Sequence, residues 1–106
     1  MKNLATRFLE DAQNIGATEA WCTSGWQEME QAYIGPSRHY HNLQHLQNLF
    51  NLFDQYKDQL QEPDVVSWTI WYHDIIYNAK RKDNELRSAE LARVRLPQTN
   101  LATEKI

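Results

Sequence analysis

Cysteine, glycine and proline are all scarce in this chain: one Cys, three Gly and three Pro among 106 residues. The lone Cys22 cannot close an internal disulfide, so no cystine framework holds the fold, and a single thiol suits a reducing cytoplasm. So few glycines and prolines leave little to punctuate many short strands, which favours helices over a many-turned β fold. An excess of one charge is lacking too: 11 Lys and Arg oppose 14 Asp and Glu, a net charge of −3. A nucleic-acid polymer or an anionic membrane surface needs a basic face that this balance does not supply. No stretch approaches the roughly 18 consecutive apolar residues of a membrane span. The start, Met1-Lys2-Asn3-Leu4, runs into a charged amphipathic pattern without the apolar core of a signal peptide. The expectation is a cytoplasmic protein that does not enter a membrane.

Two reaction templates are missing as well. The three glycines are isolated, so there is no glycine-rich phosphate loop, and no Ser or Cys stands in a nucleophile context. Cys22 beside Trp21 reads as packing, and the four tryptophans, at helical or near-helical spacing, read as core.

What is present is a globular composition, 42% hydrophobic and 24% charged. The length fits one domain over residues 1–106, of a size that buries roughly two-thirds of its unfolded surface. Leu4, Phe8, Ala12 and Ile15 mark one helix face, and Gly16 stands where a helix C-terminus prefers glycine. Residues 18–34 are helical in pattern, through Trp26, Met29 and Tyr33, until Gly35-Pro36; one helix and two short ones fit equally. From about 42 to 61 the pattern is clearest, with Leu43, Leu46, Phe50, Phe53 and Leu60 in one stripe that Leu49 and Tyr56 widen. Pro63 suits the first position of the next helix, about 63–78, which has no polar face and is expected to be buried nearly all round. After a polar loop, Asp83 or Asn84 can cap a last amphipathic helix containing Leu86, Ala89 and Leu96 and ending at Pro97. The expected fold is an all-α bundle of about four to six helices.

All four histidines fall in two places: Arg38-His39-Tyr40-His41-Asn42-Leu43-Gln44-His45, and His73-Asp74. On a helix His41 and His45, four residues apart, share one face with Cβ atoms about 5–6 Å apart; if the helix begins only at Asn42, His41 sits just before it and can still reach the same cleft. His45 falls near the apolar stripe, and His73-Asp74 sits within the apolar stretch with Val66, Ile70 and Tyr77. A buried Asp is costly unless it is paired or holds a metal. Imidazole with carboxylate suits Zn, Fe, Mn and similar ions. Each feature has a plainer reading: His39 as an ordinary hydrogen-bonded residue, Asp74 paired with Arg38 or Lys80, Lys80-Arg81-Lys82 as a solvated loop. The combination is what raises a metal site. A zinc-protease site is excluded, because Asn42 stands where H-E-x-x-H requires its glutamate.

The run from Arg38 to His45, then Tyr72-His73-Asp74, then Asp83-Asn84-Glu85-Leu86-Arg87-Ser88-Ala89, resembles the metal-dependent phosphohydrolases of the HD superfamily, over about residues 26–96. Tyr40-His41-Asn42-x-x-His45 is also similar to the signature of cyclic-nucleotide phosphodiesterases. The resemblance implies an HD-like helical bundle, a divalent metal (Zn, Mn, Fe, Ni or Mg), and hydrolysis of a phosphoester by metal-activated water. It implies His45, His73 and Asp74 as metal ligands, with Asp74 catalytic through the metal. His41 would be the acid for the leaving oxygen or a substrate ligand, and Arg38 a phosphate contact or partner of Asp74. The substrate would be a phosphorylated small molecule or a nucleotide. The HD pattern also carries a metal-binding Asp on a later helix, whereas Asp83 is the sole downstream aspartate here. The expectation is therefore the N-terminal part of such a core, with an apolar patch on the 63–78 helix open to self-association as a homo-oligomer. The alternatives are a non-catalytic helical module that binds metal or ligand, or serves as an interaction domain, and a purely structural helical protein.

Overall fold

Each of the first three helices starts at a side-chain cap. In the computed structural model, which describes residues 3–34, 42–76 and 82–99, Asn3 Oδ1 accepts the Thr6 N–H at 2.8 Å and opens α1, Leu4–Asn14. That helix ends as Ala17 N–H reaches back to Ala12 O at 3.0 Å, which requires Gly16 in the left-handed region at φ 71°. Thr18 Oγ1 accepts the Trp21 N–H at 3.1 Å and opens α2, Glu19–Tyr33, one continuous helix where the pattern allowed two. Asn42 Oδ1 accepts the His45 N–H at 3.1 Å and opens α3, Leu43–Tyr56, which tightens into a 3-10 turn, Lys57–Gln59. Pro63 begins α4, Pro63–Tyr72, with Asp64 in its first turn. Asp83 occupies the N-cap position of α5, Asn84–Arg95, without a side-chain cap bond, and a 3-10 turn, Leu96–Gln98, follows. The fold is all-α, and among the described residues there is no strand. No helix among them is long and apolar enough to cross a membrane.

α1 packs on α2, α3 on α4 and α4 on α5. Phe8 is the hub: it stacks on Trp21 with centroids 6.0 Å apart, and Trp68 and Trp71 meet it nearly edge-on at 5.4 and 5.2 Å. Aromatic pairs favour such offset and edge-to-face arrangements. Several polar groups inside this core have partners, although Arg7 Nε and Tyr72 Oη are buried without a hydrogen bond among the described residues. Asp11 Oδ2 accepts from Ser67 Oγ at 2.7 Å and from Trp71 Nε1 at 3.0 Å, and Arg7 pairs with Asp54 while lying over the Phe50 ring. Cys22 is buried, and burial pushes its thiol pKa up, with Glu19 adding to the shift.

Three sequence expectations need correction. The 63–78 helix stops at Tyr72, and it is not buried all round, since Val66 and Thr69 face outward. On α5, Leu86 is 56% exposed and Ala89 is exposed, while Ser88, Ala92 and the following Leu96 face inward. Ser88 sets that rotation: Ile76 N–H donates to its Oγ at 3.0 Å, and Oγ–H donates to Ile76 O at 3.3 Å. A polar side chain thus occupies the inner face because backbone groups there require a partner. Tyr56, finally, is exposed instead of widening the α3 stripe.

Candidate metal centre

Two chain segments bring the site together. His45 lies in the first turn of α3, three residues after its cap, and so projects from a helix start that Asn42 defines. His73 is the C-cap of α4, and Asp74 follows it in the turn.

Why α4 ends there is legible in its hydrogen bonds. Continuing the helix would send Asp74 N–H to Ile70 O. Ile70 O is instead taken by the His73 ring, whose Nδ1 lies 2.6 Å away. Asp74 N–H donates to Tyr33 Oη at 3.3 Å, and the Tyr33 hydroxyl donates to Trp71 O at 3.2 Å. A buried tyrosine from α2 therefore captures the turn, and Ser88 from α5 captures the two backbone groups of Ile76 just beyond it. The His-Asp pair is held from both sides by elements remote in sequence.

A carbonyl can only accept, so Nδ1 of His73 carries the hydrogen, and Nε2 is the ring nitrogen left to offer a lone pair to a cation. That Nε2 lies 3.1 Å from Asp74 Oδ2, and His45 Nε2 lies 3.9 Å from the same oxygen. The two imidazoles have centroids 5.5 Å apart with a 54° tilt. One ligand atom from each of the three residues falls within 4.8 Å of the others. Donors around a tetrahedral ion with bonds of 2.0–2.1 Å stand about 3.3 Å apart. The His73–Asp74 separation is already close to that spacing, and the His45–Asp74 separation is wider. The donor chemistry fits a divalent cation: two imidazoles, one carboxylate, and one ring whose second nitrogen is fixed by a backbone carbonyl, the usual support for a ligating histidine. Exposures of 36% for His45, 30% for His73 and 15% for Asp74 leave the cluster partly buried but reachable from solvent.

The structure thus brings together His45, His73 and Asp74, the three residues expected as ligands. His41, Arg38 and His39 lie outside the described residues, as do Lys80 and Arg81. Asp83, at the head of α5, is not among the three clustered residues. Sequence reasoning missed Tyr33 and Ser88 as supports of the site. Tyr33 looked like one more member of an apolar stripe, and nothing local marks it. Ser88 did carry a signal, a hydroxyl on the helix face shared by Ala92 and Leu96. Comparison with protein-family models, with curated proteins and with solved structures gave no match.

Proposed function

We propose that this protein is a metal-dependent phosphohydrolase of the HD class, with His45, His73 and Asp74 holding a divalent cation. The observation that carries the reading is the convergence of His73 Nε2 and His45 Nε2 on one Asp74 oxygen, at 3.1 and 3.9 Å. Two lone-pair acceptors as close as His73 Nε2 and Asp74 Oδ2 need a proton or a cation between them, and the third donor favours a cation. When bound, a divalent cation neutralises phosphate charge and lowers the pKa of water. The reaction adds water to phosphorus, breaks the ester P–O bond, and returns a proton to the departing oxygen. In this reading His41 would deliver that proton or bind the substrate, and Arg38 would contact the phosphate or pair with Asp74. The protein's own described residues contribute the positioning: Tyr33 and Ser88 hold the turn, and the Ile70 carbonyl orients His73.

The test is metal content by elemental analysis after dialysis, with hydrolysis of bis(4-nitrophenyl) phosphate in Mn²⁺. Near one transition metal per chain is expected, with His73→Ala and Asp74→Ala each weakening metal retention and turnover by at least about tenfold. Absence of metal from the wild type overturns the site. Turnover unchanged in both variants overturns the enzyme. A second reading, a binding module without turnover, is favoured by the single carboxylate of the cluster among the described residues. Its signature is metal uptake with no hydrolysis.

A further inference from the structure

Beside the His-Asp turn a cavity of about 370 Å³ opens between α4 and α5, and His73, Asp74 and Glu85 all line it. Glu85 stands in the first turn of α5 and is exposed, and among the described residues its carboxylate has no hydrogen bond or ion pair. Its direction is set by the helix. Glu85, Ala89 and Ala92 recur four and three residues apart, which puts them on one face of α5. Ser88 turns that face toward α4, because its Oγ pairs with both backbone groups of Ile76, two residues beyond Asp74. The anchor therefore lies one helical turn from Glu85 and close in the chain to Asp74, so the two carboxylates are held on facing segments of one space. The other polar groups of the wall have tasks already. His73 and Asp74 belong to the candidate metal centre, and Thr69 donates its hydroxyl to Val65 O at 2.8 Å. Tyr72 is buried, and burial pushes its hydroxyl pKa far up. Among the described lining residues, Glu85 is the proton acceptor left over.

We infer that Glu85 is the general base of the hydrolysis, taking the proton of the water that attacks phosphorus. The water oxygen bonds to phosphorus, its proton passes to the Glu85 carboxylate, and the ester P–O bond breaks. The bonding pair leaves on the departing oxygen, which takes a proton from the acid, His41 in that reading. Glu85 also adds negative charge beside a cation held by His45, His73 and Asp74. The base role rests on the phosphohydrolase reading; the charge contribution to metal binding does not. A carboxylate in a first turn also favours the helix start through its dipole. That duty needs charge alone, whereas a general base needs reach as well.

The experiment compares Glu85→Gln and Glu85→Asp with Glu90→Gln, a change on α5 outside the cavity lining. Both positions are exposed, so each variant is expected to keep its helical circular dichroism. Mn²⁺ affinity is read by competition with a chromophoric chelator, and turnover with bis(4-nitrophenyl) phosphate at saturating Mn²⁺. Glu85→Gln should weaken Mn²⁺ binding about threefold or more, while Glu85→Asp, which keeps the charge, binds it as the wild type does. The kcat should fall about a hundredfold or more in Glu85→Gln. It should fall about tenfold or more in Glu85→Asp, whose shorter side chain misplaces the acceptor. Glu90→Gln should change neither quantity. Full turnover in Glu85→Gln, or full turnover in Glu85→Asp, overturns the base assignment. Unchanged Mn²⁺ affinity in Glu85→Gln overturns the charge contribution. Metal binding by the wild type without hydrolysis overturns the phosphohydrolase reading and the base with it, while the affinities still decide the charge contribution. A wild type that binds no Mn²⁺ overturns both.

Discussion

Tyr33 does more for the candidate site than its place in α2 suggests. Its hydroxyl accepts from a backbone 41 positions away and donates to one 38 positions away, and so decides where α4 stops. Removing it leaves a buried carbonyl and an N–H without that partner, a loss of about 1–3 kcal/mol. Tyr33→Phe is therefore expected to lower the denaturation midpoint and also to weaken metal retention, because Asp74 is no longer held at its N–H. A stability loss with unchanged metal affinity, read by competition with a chromophoric chelator, would show that the hydroxyl supports only the fold. His73 has the same dual character, since its ring both competes for Ile70 O and turns Nε2 toward Asp74.

Among the elements, α2 carries a glycine in its interior, where glycine costs about 1 kcal/mol relative to alanine. The reason lies in α1. A Cβ on Gly25 would stand 3.0 Å from Phe8 Cζ and 3.3 Å from Cε1. The Phe8 ring cannot retreat, because Trp21, Trp26, Trp68 and Trp71 surround it. Gly25→Ala should thus lower Tm despite the better helix former, through overpacking of about 1–3 kcal/mol. A raised Tm would show that α1 and α2 can separate by a few tenths of an ångström without loss. The caps at Asn3, Thr18 and Asn42 are local, each accepting from an N–H three residues on, whereas Asp83, expected from the sequence as a cap, makes no side-chain cap bond. The end of α4 was not readable, because Ile75, Ile76 and Tyr77 continue the apolar pattern, and the helix is interrupted by remote hydroxyls together with the His73 ring on Ile70 O.

For the whole molecule, Cys22 offers a probe of cooperativity. It is buried, and burial raises its thiol pKa, so at neutral pH the thiolate needed for alkylation is suppressed and inaccessible in the folded chain. Labelling by iodoacetamide should run at least about a hundredfold slower in the native protein than in urea, with a rate that follows global opening. Fast native labelling would mean that the α1–α2 pair opens by itself. The same experiment with Mn²⁺ present gains a second use, since a ligand that binds only the folded state slows labelling further.

Helix content follows from the sequence by itself, because it rests on residue spacing, while the three metal-ligand candidates came from a motif resemblance that the cost of burying an aspartate among apolar neighbours supports. Tertiary structure alone decided the rest. It placed Ser88 inward and Leu86 outward, since the Ile76 backbone required a hydroxyl partner from across the fold. It ended α4 at Tyr72, since Tyr33 outcompeted the helix for the Asp74 N–H. It also opened the space beside His73 and Asp74, which two alanines of α5 line. Partners of that kind lie 12 to 41 positions apart in the chain, and a hydrogen bond or a cavity between them exists only once the helices have packed.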